Sequence, residues 1–163
     1  MHELILLRHA EAEPPEKAKD DRSRTLTEHG KREARDTAKW FAEHHIEYDR
    51  ILCSPAVRTK ETAMLALTHG KPQFVEEIYD ATPGDLMAVL DKHHGVGRVV
   101  LVGHNPGIEQ LVALLVDGRS DDYRGMPPGG VARLTLQKKG SIEPGIAKLE
   151  AFWSPSFKES KAS

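Results

Sequence analysis

The chain of 163 residues contains one cysteine, Cys53, so neither an intramolecular disulfide nor a multi-cysteine zinc site can form within it. So thiol-poor a chain fits a reducing compartment. Aromatic residues make up only 6%, too few for the stacking platforms that hold single-stranded nucleic acid. No excess of one charge exists either: 23 Lys and Arg against 25 Asp and Glu leave a formal net charge of −2. That balance argues against a broadly basic nucleic-acid surface and against a polybasic membrane patch, while permitting a local cationic pocket. Long apolar runs are also missing. Leu4 to Leu7 is the whole apolar stretch before Arg8, too short for a signal-peptide core or a membrane span. The expectation is a cytoplasmic protein that binds neither nucleic acid nor membrane.

What is present is an alternation of two hydrophobic periods over a length that suits one domain. Leu4 to Leu7, Ile51 to Cys53 and Arg98 to Val102 read as short buried strands, and Gln73 to Tyr79 as extended chain. Thr27 is the expected N-cap of a helix to about His44, with Ala34, Ala38, Phe41 and Ala42 as its apolar stripe. Ser54-Pro55 reads as the start of a second helix, with Ser54 as N-cap. Thr82-Pro83 opens a third, and Asn105-Pro106-Gly107 a fourth. Val131 to Leu136 and Ala147 to Trp153 read as a late antiparallel pair. Strand and helix in turn predict an α/β fold of three layers, α/β/α, around a mostly parallel central sheet. Residues 1–153 form the expected domain, and 154–163 a polar tail.

Ligands of such sheets sit beyond the carboxyl ends of the strands. Arg8-His9 follows the first strand, Ser54-Pro55 the second with Arg58 in the helix beyond, and Gly103-His104-Asn105 the RVVLV strand. If these strands are neighbours, two arginines and two histidines converge, with helix N-termini nearby. A phosphoryl group is the natural guest, since a guanidinium holds two phosphate oxygens at once. A histidine there could attack phosphorus, provided its nitrogen is unprotonated; neighbouring arginine charges are expected to keep His9 neutral. They would also stabilise the phosphoryl group in transit.

These residues resemble the histidine phosphatase superfamily, the phosphoglycerate mutase-like fold. Arg8-His9-Ala10, Leu26-Thr27-x-x-Gly30, Ser54-Pro55-x-x-Arg58-x-x-x-Thr62-Ala63 and Val102-Gly103-His104-Asn105-Pro106-Gly107 match its blocks in order. The short length and the His-Asn-Pro-Gly run are most similar to the SixA-type phosphohistidine phosphatases. The resemblance implies His9 as nucleophile and Arg8, Arg58 and His104 as phosphoryl ligands, with Arg24 and Asn105 as further phosphate contacts. Ala10 stands where many members have glycine, a small change that preserves close packing. The general acid is either Asp80 or Glu77, from the window Glu76-Glu77-Ile78-Tyr79-Asp80, or none, since SixA-type proteins often lack one. The implied activity needs no metal or other cofactor. Its substrate is phosphohistidine on a protein partner, such as a histidine phosphotransfer domain. The alternatives are a small phosphate ester at the same site, or a phospho-binding module without catalysis.

Plainer readings stand beside these. His2, His29, His44, His45, His69, His93 and His94 fall in polar stretches or at helix ends, and their spacing does not suggest a metal site. Asp20-Asp21-Arg22-Ser23-Arg24 reads as a solvated loop that could flank the pocket mouth. Cys53 has one residue too few before Arg58 for a cysteine phosphatase loop, and reads as a small buried strand-end residue.

Overall fold

In the computed structural model, which describes residues 1–121, 124–137 and 140–157, the first apolar run becomes β1 (Glu3–Arg8) inside a six-stranded sheet. The other strands are β2 (Arg50–Cys53), β3 (Pro72–Phe74), β4 (Arg98–Gly103), β5 (Val131–Leu136) and β6 (Ala147–Trp153). They lie in the order β3-β2-β4-β1-β5-β6. The pairs β3/β2, β2/β4 and β4/β1 are parallel, and β1/β5 and β5/β6 are antiparallel, so the sheet is mostly parallel as expected.

The helices α1 (Glu28–Glu43) and α2 (Val57–Ala66) cover one face of the sheet, and α3 (Pro83–Asp91) and α4 (Gly107–Asp117) the other. Successive strand side chains point to opposite faces. Ile5, Leu7, Ile51, Val100 and Val102 therefore meet Trp40, Phe41, Ala63 and Ala66. Leu4, Leu6, Leu52, Val99 and Leu101 meet Leu86, Leu90, Ile108, Leu111 and Leu115 on the other side. Burial on both faces explains why these strands read as unbroken apolar runs. Each such side chain contributes roughly 1.5–3 kcal/mol. The result is the expected three-layer α/β/α fold.

Local chemistry sets the helix ends, with three departures from expectation. Thr27 caps α1 as predicted, its Oγ1 accepting from the Gly30 N–H. A Cβ on Gly30 would lie 2.0 Å from the Glu11 carbonyl oxygen, so this helix start tolerates only glycine against the loop after β1. The buried face of α1 is Gly30, Glu33, Ala34, Thr37, Trp40 and Phe41, whereas Ala42 is exposed. A stripe traced through alanines missed Trp40, which turns inward to stack on Trp153 at 5.6 Å. At α2 the N-cap is Ala56, not Ser54; Ser54 is wholly buried and serves another purpose. Between Phe74 and Tyr79 the chain leaves the sheet and makes a 3-10 turn, Glu76–Ile78, which drops Ile78 into the core. The start of α3 carries the expected cap, with Thr82 and Asp85 bonding reciprocally.

Ser154, read from sequence as the start of the tail, is fully buried, and Pro155 is buried beside it. The rest of that expected tail, residues 158–163, lies outside the described residues. Among the described residues, no helix is long and apolar enough to cross a membrane.

Candidate active site

The sheet order puts β4 between β1 and β2, so three parallel strands end side by side. Arg8 closes β1 and His9 follows it; Ser54 follows β2; His104 follows β4. Main-chain bonds join these ends, His9 N–H to the Gly103 carbonyl at 3.1 Å and Ser54 N–H to the Val102 carbonyl at 3.1 Å. The His9 and His104 rings stand 5.3 Å apart, tilted by 59°. Arg58, in the first turn of α2, is 6% exposed. The four residues singled out as nucleophile and phosphoryl ligands are thus brought together.

The His9 ring has one defined face. Its Nδ1 lies 2.7 Å from the Ala10 carbonyl oxygen. A carbonyl only accepts, so Nδ1 carries the proton and the Nε2 lone pair is free. Burial pulls the His9 pKa down to about 4, with the Arg58, Arg8 and Arg24 charges acting in the same direction and the Ala10 bond opposing them. His9 is neutral at pH 7 as expected, but burial rather than arginine charge is the leading cause. His104 is lowered to about 3, by burial first and then by His9 and Arg58.

The arginines are tethered without being used up. Arg8 Nη1 donates to the Met126 carbonyl at 2.7 Å. Burial lowers the Arg8 pKa, opposed by the Glu109 and Glu33 charges. Arg58 Nη1 donates to the Asp21 carbonyl at 2.7 Å, and Nη2 to Asp21 Oδ2 at 3.0 Å. Three buried side-chain nitrogens among the described residues have no hydrogen-bond partner in the protein: Arg8 Nε, Arg58 Nε and His104 Nδ1. A buried polar group left unpaired costs about 1–3 kcal/mol. Two cationic donors and a ring nitrogen, unpaired on three residues of this cluster, suit an oxyanion that accepts from them.

A hollow of about 350 Å³ opens at Arg58 and His104, lined by Asp21, Arg58, Tyr79, Asp80, Ala81, His104, Asn105, Pro106 and Gly107; Arg8 and His9, half-buried at the adjacent strand end, are not among its lining residues. Asp80 is therefore at the pocket, exposed and in the left-handed backbone region at φ 54°. Glu77 is not: it is exposed on the 3-10 turn and lines no part of this hollow, because the turn commits Ile78 inward. Asn105 is at the wall, but both its amide N–H groups are engaged, by Glu109 Oε2 at 3.1 Å and the Met126 carbonyl at 3.0 Å. Its side-chain amide ties the loop together, so a phosphate contact through that amide would compete with both bonds. Arg24 donates to the Glu13 carbonyl at 2.8 Å and to Asp21 Oδ1 at 3.1 Å. It acts on His9 through its charge and lies outside the lining.

Sequence reasoning missed Asp21, Tyr79, Ser54 and Glu109. Tyr79 donates its hydroxyl to Asp21 Oδ2, and this bond, followed by Arg58 and Arg24, holds the Asp21 carboxyl well below the usual carboxylate range. Asp21 is thus ionised and cannot serve as a proton donor in this arrangement. Only its place in a charged loop hinted at it. Glu109, one turn beyond Asn105, also accepts from the Met126 N–H at 3.0 Å. Cys53 is inert: burial pushes its thiol up to about 12, which removes it as a nucleophile. A larger hollow, about 460 Å³, lies between α1 and the end of β6 and holds none of these groups.

Comparison with known proteins agrees with this geometry. Residues 4–80 match the model of the histidine phosphatase superfamily, branch 1. A phosphohistidine phosphatase SixA homolog from Haemophilus influenzae is 33% identical over 134 residues, which cover 72% of this chain and 79% of that protein. Phosphohistidine phosphatase SixA of Escherichia coli is 29% identical over 146 residues, 85% of this chain and 88% of its own. A solved structure of the protein histidine phosphatase SixA complexed with tungstate superposes with a TM-score of 0.80, at 24% identity, covering 96% of this chain and 99% of that one. It shares the phosphoglycerate mutase-like fold. Membership supports phosphatase chemistry. With these matches, and with arginine and histidine gathered at three adjacent strand ends, the chain belongs to the histidine phosphatase superfamily.

Proposed function

We propose that this protein is a metal-independent phosphatase that works through a covalent phosphohistidine on His9, and that its substrate is phosphohistidine on a protein partner. The observation that carries the reading is the neutral His9, Nε2 unbonded, beside three unpaired buried nitrogens on Arg8, Arg58 and His104. The phosphoryl oxygens accept from those nitrogens. His9 Nε2 forms a bond to phosphorus as the bond from phosphorus to the leaving nitrogen breaks, and that nitrogen keeps the electron pair and takes a proton from solvent. Water then attacks phosphorus, inorganic phosphate leaves, and His9 is restored. Arg8 and Arg58 supply the positive charge for the trigonal phosphoryl group.

The preference for a nitrogen leaving group has two supports. Relatives from Haemophilus influenzae and Escherichia coli carry the name phosphohistidine phosphatase. In addition, Asp21, the carboxyl bonded to Arg58, is held ionised and has no proton to give. A nitrogen leaves a phosphoramidate with less help than an alkoxide leaves an ester. Asp80 at the pocket favours the second reading, a small phosphate ester whose oxygen Asp80 would protonate.

The test is phosphate release from a histidine-phosphorylated phosphotransfer protein in EDTA, with p-nitrophenyl phosphate in parallel. Release from the protein substrate in preference to the ester is expected. Release from the ester alone overturns the phosphohistidine assignment. Release from neither, with tight phosphate binding, overturns catalysis in favour of a binding module.

A further inference from the structure

His104 is half-buried with its Nδ1 buried, and it is neutral at pH 7; a neutral imidazole has one donor nitrogen and one acceptor nitrogen. Which is which decides whether the second histidine attracts or repels a phosphoryl oxygen. The residue that touches His104 from the neighbouring strand is Ser54, wholly buried, with Oγ 2.7 Å from His104 Nε2. We propose that Ser54 is a positioning residue that donates its hydroxyl proton to His104 Nε2 and so fixes His104 in the Nδ1–H form, its donor face turned to the phosphoryl group. The proposal rests on the reading of His104 as a phosphoryl ligand.

The hydrogen bonds around Ser54 carry the argument. Its Oγ already accepts from the Ala56 N–H at 3.4 Å. Its own carbonyl is occupied separately by the Thr59 hydroxyl at 2.8 Å. Among the hydrogen bonds of the described residues, His104 Nε2 is the one acceptor within reach of the Ser54 hydroxyl proton. If Nε2 instead carried the ring proton, Oγ would accept from both Ala56 and His104. The Ser54 proton would then have no partner in a fully buried site, and the buried Nδ1 would aim a lone pair at an anion. With the proton on Nδ1, every group is satisfied once an oxyanion is bound: the Ser54 proton on Nε2, and Nδ1–H on the oxyanion. The strand order builds this contact, because Ser54 follows β2 and His104 follows β4, and the two strands pair in register at Cys53 and Val102. It also explains why a serine before a proline is not used as a helix cap here.

The test is ¹⁵N NMR of the histidine rings at pH 7 on uniformly labelled protein, with the His104 signals identified by their loss in His104→Gln. A pyrrole-type Nδ1 and a pyridine-type Nε2 are expected for His104 in the wild type, free and with tungstate. The reverse assignment overturns the proposal without any variant being made, and without bearing on whether the protein is a phosphatase. In Ser54→Ala the two forms should mix, with kcat/KM lowered on the order of 10-fold. Ser54→Thr, which keeps the hydroxyl, should restore the single form. An unchanged His104 spectrum in a folded Ser54→Ala protein overturns the proposal; so does a mixed spectrum in a folded Ser54→Thr protein.

Discussion

The strand-end floor of the candidate site and the loop segments that rim it are built in different ways. On the floor, Arg8, His9, Ser54, Arg58 and His104 stand at strand ends or in a first helical turn. Main-chain carbonyls or a buried hydroxyl orient four of these side chains. The rim, residues 20–24 and 76–80, is mostly exposed and held by side-chain pairs such as Arg22 with Glu76 and Arg24 with Asp21. Exposed ion pairs contribute about 0–1 kcal/mol. Asp21 joins the two regions, with Arg58 on one side and Tyr79 on the other, and the Tyr79 ring meets that of His104 edge-on at 5.5 Å. On the proposed function, the floor is preorganised for the transferring phosphoryl group, and the rim can vary with the rest of the substrate at little cost to the fold. That reading assigns chemistry to the first and partner choice to the second.

The contrast breaks most sharply at His9. His9→Ala should lower turnover by about 10³-fold or more while the fold stays intact, because the proposed covalent intermediate forms on the His9 Nε2 that the substitution removes. Next, Arg58→Ala should cost roughly 10²- to 10³-fold in kcat, as expected for one preorganised donor to a developing charge. Arg22→Ala on the rim should change kcat by less than about 3-fold. Comparing kcat of the two in one assay weighs floor against rim directly.

A pH series sharpens the same division. His9 and His104 have folded-state pKa values of about 4 and about 3, below the ordinary 6.5. The unfolded chain therefore binds more protons than the folded one in the window below pH 6.5. Stability is full above that window and falls as the pH drops through it, by about 3 kcal/mol for His9, until the folded ring titrates near pH 4. Urea titrations at pH 7, 5.5 and 4.5 check this, and in His9→Gln part of the loss should vanish. Once the substrate's own ionisation is factored out, kcat/KM should hold level down to about pH 5. The smallest effects belong to the carboxylates of the 76–80 segment: Glu77→Gln, away from the hollow, should leave turnover of phosphohistidine within about 2-fold. Asp80→Asn should do the same for phosphohistidine yet reduce ester hydrolysis by about 10²-fold if the second reading holds, as for loss of a general acid.

The floor was legible in the sequence because a buried strand announces itself as an apolar run, and the residues just after that run are forced to the strand's end. Arg8-His9 and His104 were found in that way, and the three layers came from the alternation of strand and helix. The rim was not legible, because nothing in a charged loop such as Asp20 to Arg24 encodes which side chain folds back onto Arg58. Glu77 looked as eligible as Asp80 until Ile78 between them was seen to be buried, which sends the two carboxylates to different places. Ser54 was misread for a related reason. Serine before proline is the ordinary sign of a helix start, and the competing use, a hydroxyl held against a histidine fifty residues away, is set by sheet order alone.

The covalent intermediate is the central claim, and acid-quench-free mass spectrometry of the intact chain and its peptides tests it most directly. Wild-type protein mixed with a phosphohistidine substrate and quenched in alkali within milliseconds should carry one phosphoryl group, stable to base, labile to acid and located on the peptide containing His9. A phosphoryl group on any other residue, or substrate turnover with the chain never labelled, would contradict the account.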